Sequence, residues 1–97
     1  MYAVIFTADV KEFDSEYTAM ASKMRDLAIN EYNCIEFISC AEGMKEISIS
    51  YWENLGHIKS WKSNIQHLEA QELGRNKWYS SYKIEITKVE RSYKNES

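Results

Sequence analysis

Along this chain the spacing of apolar positions alternates between a period of two and a helical period. Residues 2–9, Tyr-Ala-Val-Ile-Phe-Thr-Ala-Asp, are β-branched, aromatic or small. Apolar residues occupy both alternation sets, Val4 and Phe6 against Ala3 and Ile5, which predicts a strand covered on both faces. Tyr17, Met20, Ala21, Met24, Leu27 and Ala28 then recur at steps of three and one, the stripe of an amphipathic helix over about residues 15–31. Asp14 stands where a carboxylate can accept a free N–H of the first turn. Residues 33–41 read as a strand, with Ile35 and Phe37 on one face and Cys34, Ile38 and Cys40 on the other. Glu42-Gly43-Met44 supplies a turn in which Gly43 can take a positive φ. In residues 45–53, Ile47, Ile49 and Tyr51 alternate with Ser48, Ser50 and Trp52, completing an antiparallel hairpin. Asn54 can cap a second helical region carried by Leu55, Ile58, Trp61, Ile65 and Leu68 and ending near Gly74. A break near Ser63-Asn64 would divide it into two short helices. A last strand runs from Tyr82 to Tyr93, with Tyr82, Ile84 and Ile86 on one face, and residues 94–97 are expected to fray.

The order β-α-β-β-α-β predicts an α+β, ferredoxin-like domain over residues 1–97: two helices on one face of a four-stranded antiparallel sheet. Two helices cover one face only. The other still carries apolar residues, and a second copy of the chain is the economical cover, enclosing a dimeric α/β barrel between two sheets.

Composition narrows the function. Hydrophobic residues at 44% and charged residues at 28% describe a folding chain, not a disordered one. No apolar run approaches the roughly 20 residues that span a bilayer. The start, Met1 to Phe6, lacks the features of a secretory leader, so a cytoplasmic protein without membrane partners is expected. Three Trp, seven Tyr and three Phe exceed what one small core hides, which again favours self-association. A net charge of −3 argues against nucleic acid as a partner. RNA-recognition domains share the element order but place aromatics and a glycine-rich basic motif on the third strand; Lys45 to Tyr51 has no glycine and little basicity. Cys34 and Cys40 in one strand would lie about 20 Å apart, too far for a disulfide, so both read as reduced structural thiols. His57 and His67 on one helix would be about 15 Å apart, too far to share a metal ion. No metal-binding or dinucleotide motif is present, and neither metal nor cofactor is expected.

The stretch Ile49-Ser50-Tyr51-Trp52-Glu53, then Ile58-Lys59-Ser60-Trp61-Lys62, then His67, Ala70-Gln71 and Gly74-Arg75 resembles the antibiotic biosynthesis monooxygenase-like family. The resemblance implies a homodimeric α/β barrel with a pocket between each sheet and its helices. Some members oxygenate aromatic polyketides without metal or flavin, others degrade heme, and many have no established activity. The heme-degrading members use an Asn on the first strand, a helical Trp and a His about three turns further on. Trp61 fits the Trp position, but Phe6 and Thr7 stand where the Asn would be and Gln71 where the His would be.

Each candidate has a plain reading beside a functional one. Trp61 is a core residue by its place in the apolar stripe, or the wall of a ligand pocket. Asn64, His67 and Gln71 follow i, i+3, i+7 spacing. On an unbroken helix they form a solvent-facing row; a break near Asn64 would turn them toward the cavity. There His67 would act as general base, Asn64 would stabilise an oxyanion, and Gln71 would contact substrate. Trp52 and Tyr51 point to opposite faces of one strand, one toward the helices and one toward the dimer interior; both are candidates for substrate contact. Trp78 and Tyr79 read as dimer-interface anchors. The functions in competition are a cofactor-independent monooxygenase acting on a small aromatic or quinol-like substrate, a non-catalytic small-molecule-binding barrel, and a heme-degrading enzyme.

Overall fold

The structure is a computed structural model that describes residues 1–72 and 79–96, with side chains up to residue 64 and from residue 79. Its elements are β1 (Tyr2–Val10), α1 (Ser15–Glu31), β2 (Glu36–Glu42), β3 (Lys45–Trp52), α2 (Leu55–Glu72) and β4 (Tyr79–Lys88). The four strands form one antiparallel sheet in the order β2-β3-β1-β4. This is the ferredoxin-like arrangement that the periodicity predicts.

Local chemistry explains most boundaries. The Tyr17 N–H donates to the Asp14 carboxylate at 2.7 Å, starting α1 at Ser15. The Asn54 side-chain oxygen accepts from the Gly56 and His57 N–H groups and starts α2. Gly43, at φ 60°, turns β2 into β3. The largest differences from the sequence reading are in β2 and β4. β2 begins at Glu36, not residue 33, because Asn33 takes the left-handed conformation at φ 59°, which an Asn tolerates and a strand does not. Cys34 N–H then donates back to the Ala28 carbonyl, so this residue closes the end of α1 before pairing begins. β4 spans Tyr79–Lys88 instead of 82–93, because its one neighbour, β1, supplies partners only from Val10 to Tyr2. The α2 backbone runs unbroken through Ser63 and Asn64.

Register assigns the two faces. Trp52, Ser50, Ser48 and Glu46 of β3 pair with Tyr2, Val4, Phe6 and Ala8 of β1, and all of them look toward the helices. Phe37, Ser39 and Ala41 of β2 and Ile86, Ile84 and Tyr82 of β4 share that face. The opposite face carries Ile38, Ile49 and Ile5 in one row across three strands, with Ile47 and Tyr51 beside them. Ile38 is 49% exposed and Ile47 39%.

The helix-covered side holds two core clusters. One gathers Val4, Ala28, Cys34, Trp52, Ile58 and Trp61; the other gathers Ala8, Val10, Tyr17 and Met20. In the first, the Trp52 and Trp61 rings lie 5.2 Å apart, and each indole N–H has a partner. Trp52 donates to Ser50 Oγ at 2.8 Å, and Trp61 to the Met24 carbonyl at 3.0 Å, fastening α2 to α1.

Candidate functional site

Between the sheet and the two helices lies a cavity of about 360 Å³ whose walls draw on both core clusters. Its size is at the small end of the roughly 300–1,000 Å³ typical of small-molecule sites. α1 contributes Tyr17, Ala21 and Met24; α2 contributes Ile58, Trp61 and Lys62. The sheet supplies the floor.

The walls are aromatic. Tyr79 meets Phe6 edge-on at 5.6 Å, Tyr17 at 6.0 Å and Tyr82 at 5.8 Å, while Phe37 meets Trp61 edge-on at 6.0 Å. These contacts fix the rings against one another and leave their remaining surfaces to the cavity. Tyr82 and Ile86 line the cavity and are also exposed, which marks its open side.

The floor is polar. Ser39, Ser48 and Glu46 line it, and Glu46 is only 9% exposed. The strand neighbours directly opposite Glu46 are Ala8 and Ala41, which leave room but offer no donor. Its Oε2 is buried without a hydrogen-bond partner among the described residues. Loss of hydration disfavours the charged carboxylate and raises its pKa above the ordinary 4.5. Arg25 and Lys62 are the positively charged residues that line the cavity from the helices.

The structure places the sequence candidates as follows. Trp61 is both things at once, a buried core residue and a cavity wall. Trp52 is fully buried behind it and does not line the cavity. Tyr51 projects to the opposite face of the sheet, because its parity on β3 is the reverse of that of Trp52. The two could not share one pocket. Asn64 is directed to Tyr32, whose hydroxyl accepts from its amide at 2.8 Å, and it is not among the cavity-lining residues. His67 and Gln71 lie on the continuous α2 backbone, with side chains outside the described residues. Trp78 lies outside the described residues as well. Tyr79, expected as an interface anchor, is at the centre of the aromatic wall.

Sequence reasoning missed Glu46. The signal was present: Glu46 has the same parity as Trp52, so any argument placing Trp52 under the helices places Glu46 there too. Cys34 is another buried titratable group. Its thiol donates to the Glu36 and Tyr51 carbonyls, and burial raises its pKa, which describes a structural thiol and not a nucleophile. Among the described residues no three His, Cys, Asp or Glu side chains gather as metal ligands, and no helix is long and apolar enough to cross a membrane.

No family profile matches the chain. It is 36% identical over 92 residues to the uncharacterized protein YqjZ of Bacillus subtilis, covering 93% of this chain and 80% of that one. Its fold matches that of SnoaB, a cofactor-independent oxygenase from Streptomyces nogalater, with a TM-score of 0.74 over 94% of each chain at 8% identity. The chain belongs to one family with YqjZ, and its fold is that of the antibiotic biosynthesis monooxygenase-like proteins. Another solved relative in fold is NE2512 of Nitrosomonas europaea, a protein of unknown function, with a TM-score of 0.72 at 12% identity, covering 99% of this chain and 95% of that one. At such identities it is the antibiotic biosynthesis monooxygenase-like fold that is shared.

Proposed function

We propose that the protein is a homodimeric, cofactor-independent monooxygenase acting on a small planar aromatic or quinol-like substrate held between the sheet and the helices. The observation that carries this reading is the cavity of about 360 Å³ walled by Phe6, Tyr17, Phe37, Trp61 and Tyr79. Such walls bind flat rings by stacking and exclude water from them. The fold shared with an oxygenase that needs no cofactor supports the reaction class.

In this reaction the substrate itself supplies the electrons. Anthrone, a suitable probe, carries a CH₂ that loses a proton to give an electron-rich carbanion. The carbanion reduces O₂, one oxygen atom enters the product as the new carbonyl, and the other leaves as water. The balance is one anthrone and one O₂ giving one anthraquinone and one water. His67, less than two turns beyond Trp61 on α2, is the base we assign to the proton. Asn64, engaged by Tyr32, is left out of the oxyanion role.

The homodimer closes over the row of Ile5, Ile38 and Ile49, since no helix or strand among the described residues covers it. A stable pair buries more than about 1,200 Å² in total, and sedimentation at micromolar concentration is expected to give twice the chain mass.

The test is oxygen consumption with anthrone in metal-chelated, flavin-free buffer. Catalysed uptake with anthraquinone formed in equal amount supports the proposal, and His67→Ala is expected to lower the rate about 10²–10⁴-fold. A wild-type rate no faster than buffer, across a panel of oxidisable phenols and quinols, overturns it in favour of a binding protein.

A further inference from the structure

Among the described residues, the cavity's one buried carboxyl group is unexplained by the walls around it. Glu46 sits on the sheet floor with Oε2 unpartnered among the described residues, flanked across the strands by two alanines, and faces a space lined mainly by apolar and aromatic side chains. A carboxyl group removed from water without a donor is costly to retain, and an apolar residue of the same size would stabilise the fold. Its position instead fits a donor that arrives with a ligand. We propose that Glu46 is the recognition residue of the cavity, accepting the hydroxyl hydrogen of a neutral planar aromatic ligand such as a phenol or quinol.

The rest of the cavity limits that donor's chemistry. A carboxylated or phosphorylated ligand would bring a second negative charge against Glu46. A cationic amine would have to shed its water among aromatic rings, past the positive Arg25 of α1 and Lys62 of α2. The other titratable groups lining the space are Tyr17 of α1, Cys40 of β2, and Tyr79 and Tyr82 of β4. A hydroxyl on a neutral ring meets neither penalty and satisfies the buried oxygen. Ser48 and Ser39, beside Glu46 on the floor, offer hydroxyls for a second oxygen on the same ring system. The inference rests on the cavity reading above and specifies the ligand class within it.

Four probes of one shape separate the outcomes: 1-naphthol, naphthalene, 1-naphthoate and 1-naphthylmethylamine, titrated at pH 7 into the full chain. The wild type is expected to bind 1-naphthol at least about tenfold more tightly than naphthalene, and both charged probes more weakly than the naphthol. Glu46→Gln, which keeps an acceptor without charge, should lose part of the naphthol preference. Glu46→Leu should lose all of it while binding naphthalene as the wild type does, which also shows that the cavity is intact. Equal binding of naphthol and naphthalene by wild type and Glu46→Leu overturns the role of Glu46 but leaves the cavity reading standing. Tighter binding of the amine or the naphthoate overturns the ligand class. Failure of every probe to bind overturns both.

Discussion

On β3 the two faces of the sheet have exchanged the residues that their surroundings would ordinarily select, whereas β1, β2 and β4 keep Val4, Phe6, Phe37 and Ile84 under the helices. The face under the helices carries Glu46, Ser48 and Ser50 on β3, with Ser39 on β2. The face without helices carries Ile5, Ile38, Ile47 and Ile49. In a sheet with one wet face, apolar residues point inward and polar ones outward. The inversion has a separate cause on each side. Polar floor residues are tolerable under the helices because a cavity, not close packing, lies above them. Isoleucines are tolerable on the open face when that face is an interface. On β3 only Trp52, at its end, follows the ordinary rule, and there the core is dense: its ring meets Trp61 and its N–H meets Ser50.

The largest expected effect separates packed core from open face. Trp52→Ala removes a fully buried ring and should cost about 3–5 kcal/mol in denaturant unfolding. Ile47→Ser, on the face without helices, should change the stability of the single chain by no more than about 0.5 kcal/mol. Equal losses in the two variants would erase the distinction between the faces.

A smaller effect concerns association. Ile49 sits between Ile5 and Ile38 at the centre of the apolar row. Ile49→Asp should weaken the dimer by at least about 2 kcal/mol, roughly thirtyfold in dissociation constant, with sedimentation shifting toward the single-chain mass. An unchanged dimer would mean that copies meet elsewhere.

The smallest effect is a pH dependence. Burial raises the Glu46 pKa in the folded state, so its contribution to stability is fully present below the ordinary 4.5 and is lost as pH rises through the folded value. At neutral pH the ionised group therefore destabilises the fold, and Glu46→Gln should be more stable than the wild type, the gap closing as pH falls below 4.5. Asp9 works in the opposite direction. The Ser81 hydroxyl and the Lys45 ammonium hold its pKa below the ordinary range, so its contribution is present above that range and is lost in acid. The difference between the two proteins at each pH isolates Glu46. A gap that widens in acid would contradict the burial of its carboxyl.

The fold was legible in the sequence because each element announced itself locally: helical spacing from Tyr17 to Ala28, capping by Asp14 and Asn54, and strict alternation from Lys45 to Trp52. The site was less legible, for a reason that lies in β3. Alternation divides its residues into two sets but does not say which set faces the helices. Ranking by hydrophobicity would have turned Ile47 and Ile49 inward. Trp52 decides the matter by packing with Ile58 and Trp61 of α2 and Ala28 of α1 in one core cluster, and Glu46 follows from it by parity. Polar side chains at Ser63 and Asn64 suggest a break in the helix, but the backbone continues there while the Asn64 amide bonds Tyr32. Tyr79 read as an interface anchor because it follows a polar run, whereas the shift in pairing at Asp9/Val10 sets it against Val10, where it meets Phe6 and Tyr17.

The central claim is that the two faces do different work and can be broken apart. One binding isotherm, that of 1-naphthol, recorded for wild type, Ile49→Asp and Glu46→Leu beside their sedimentation, tests it most directly. The account predicts that Ile49→Asp sediments as a single chain yet binds the naphthol within about twofold of wild type, since the described cavity is lined by one chain's residues. It predicts that Glu46→Leu sediments as a dimer yet loses about tenfold in affinity. Loss of naphthol binding in the Ile49 variant together with full binding in the Glu46 variant would contradict it.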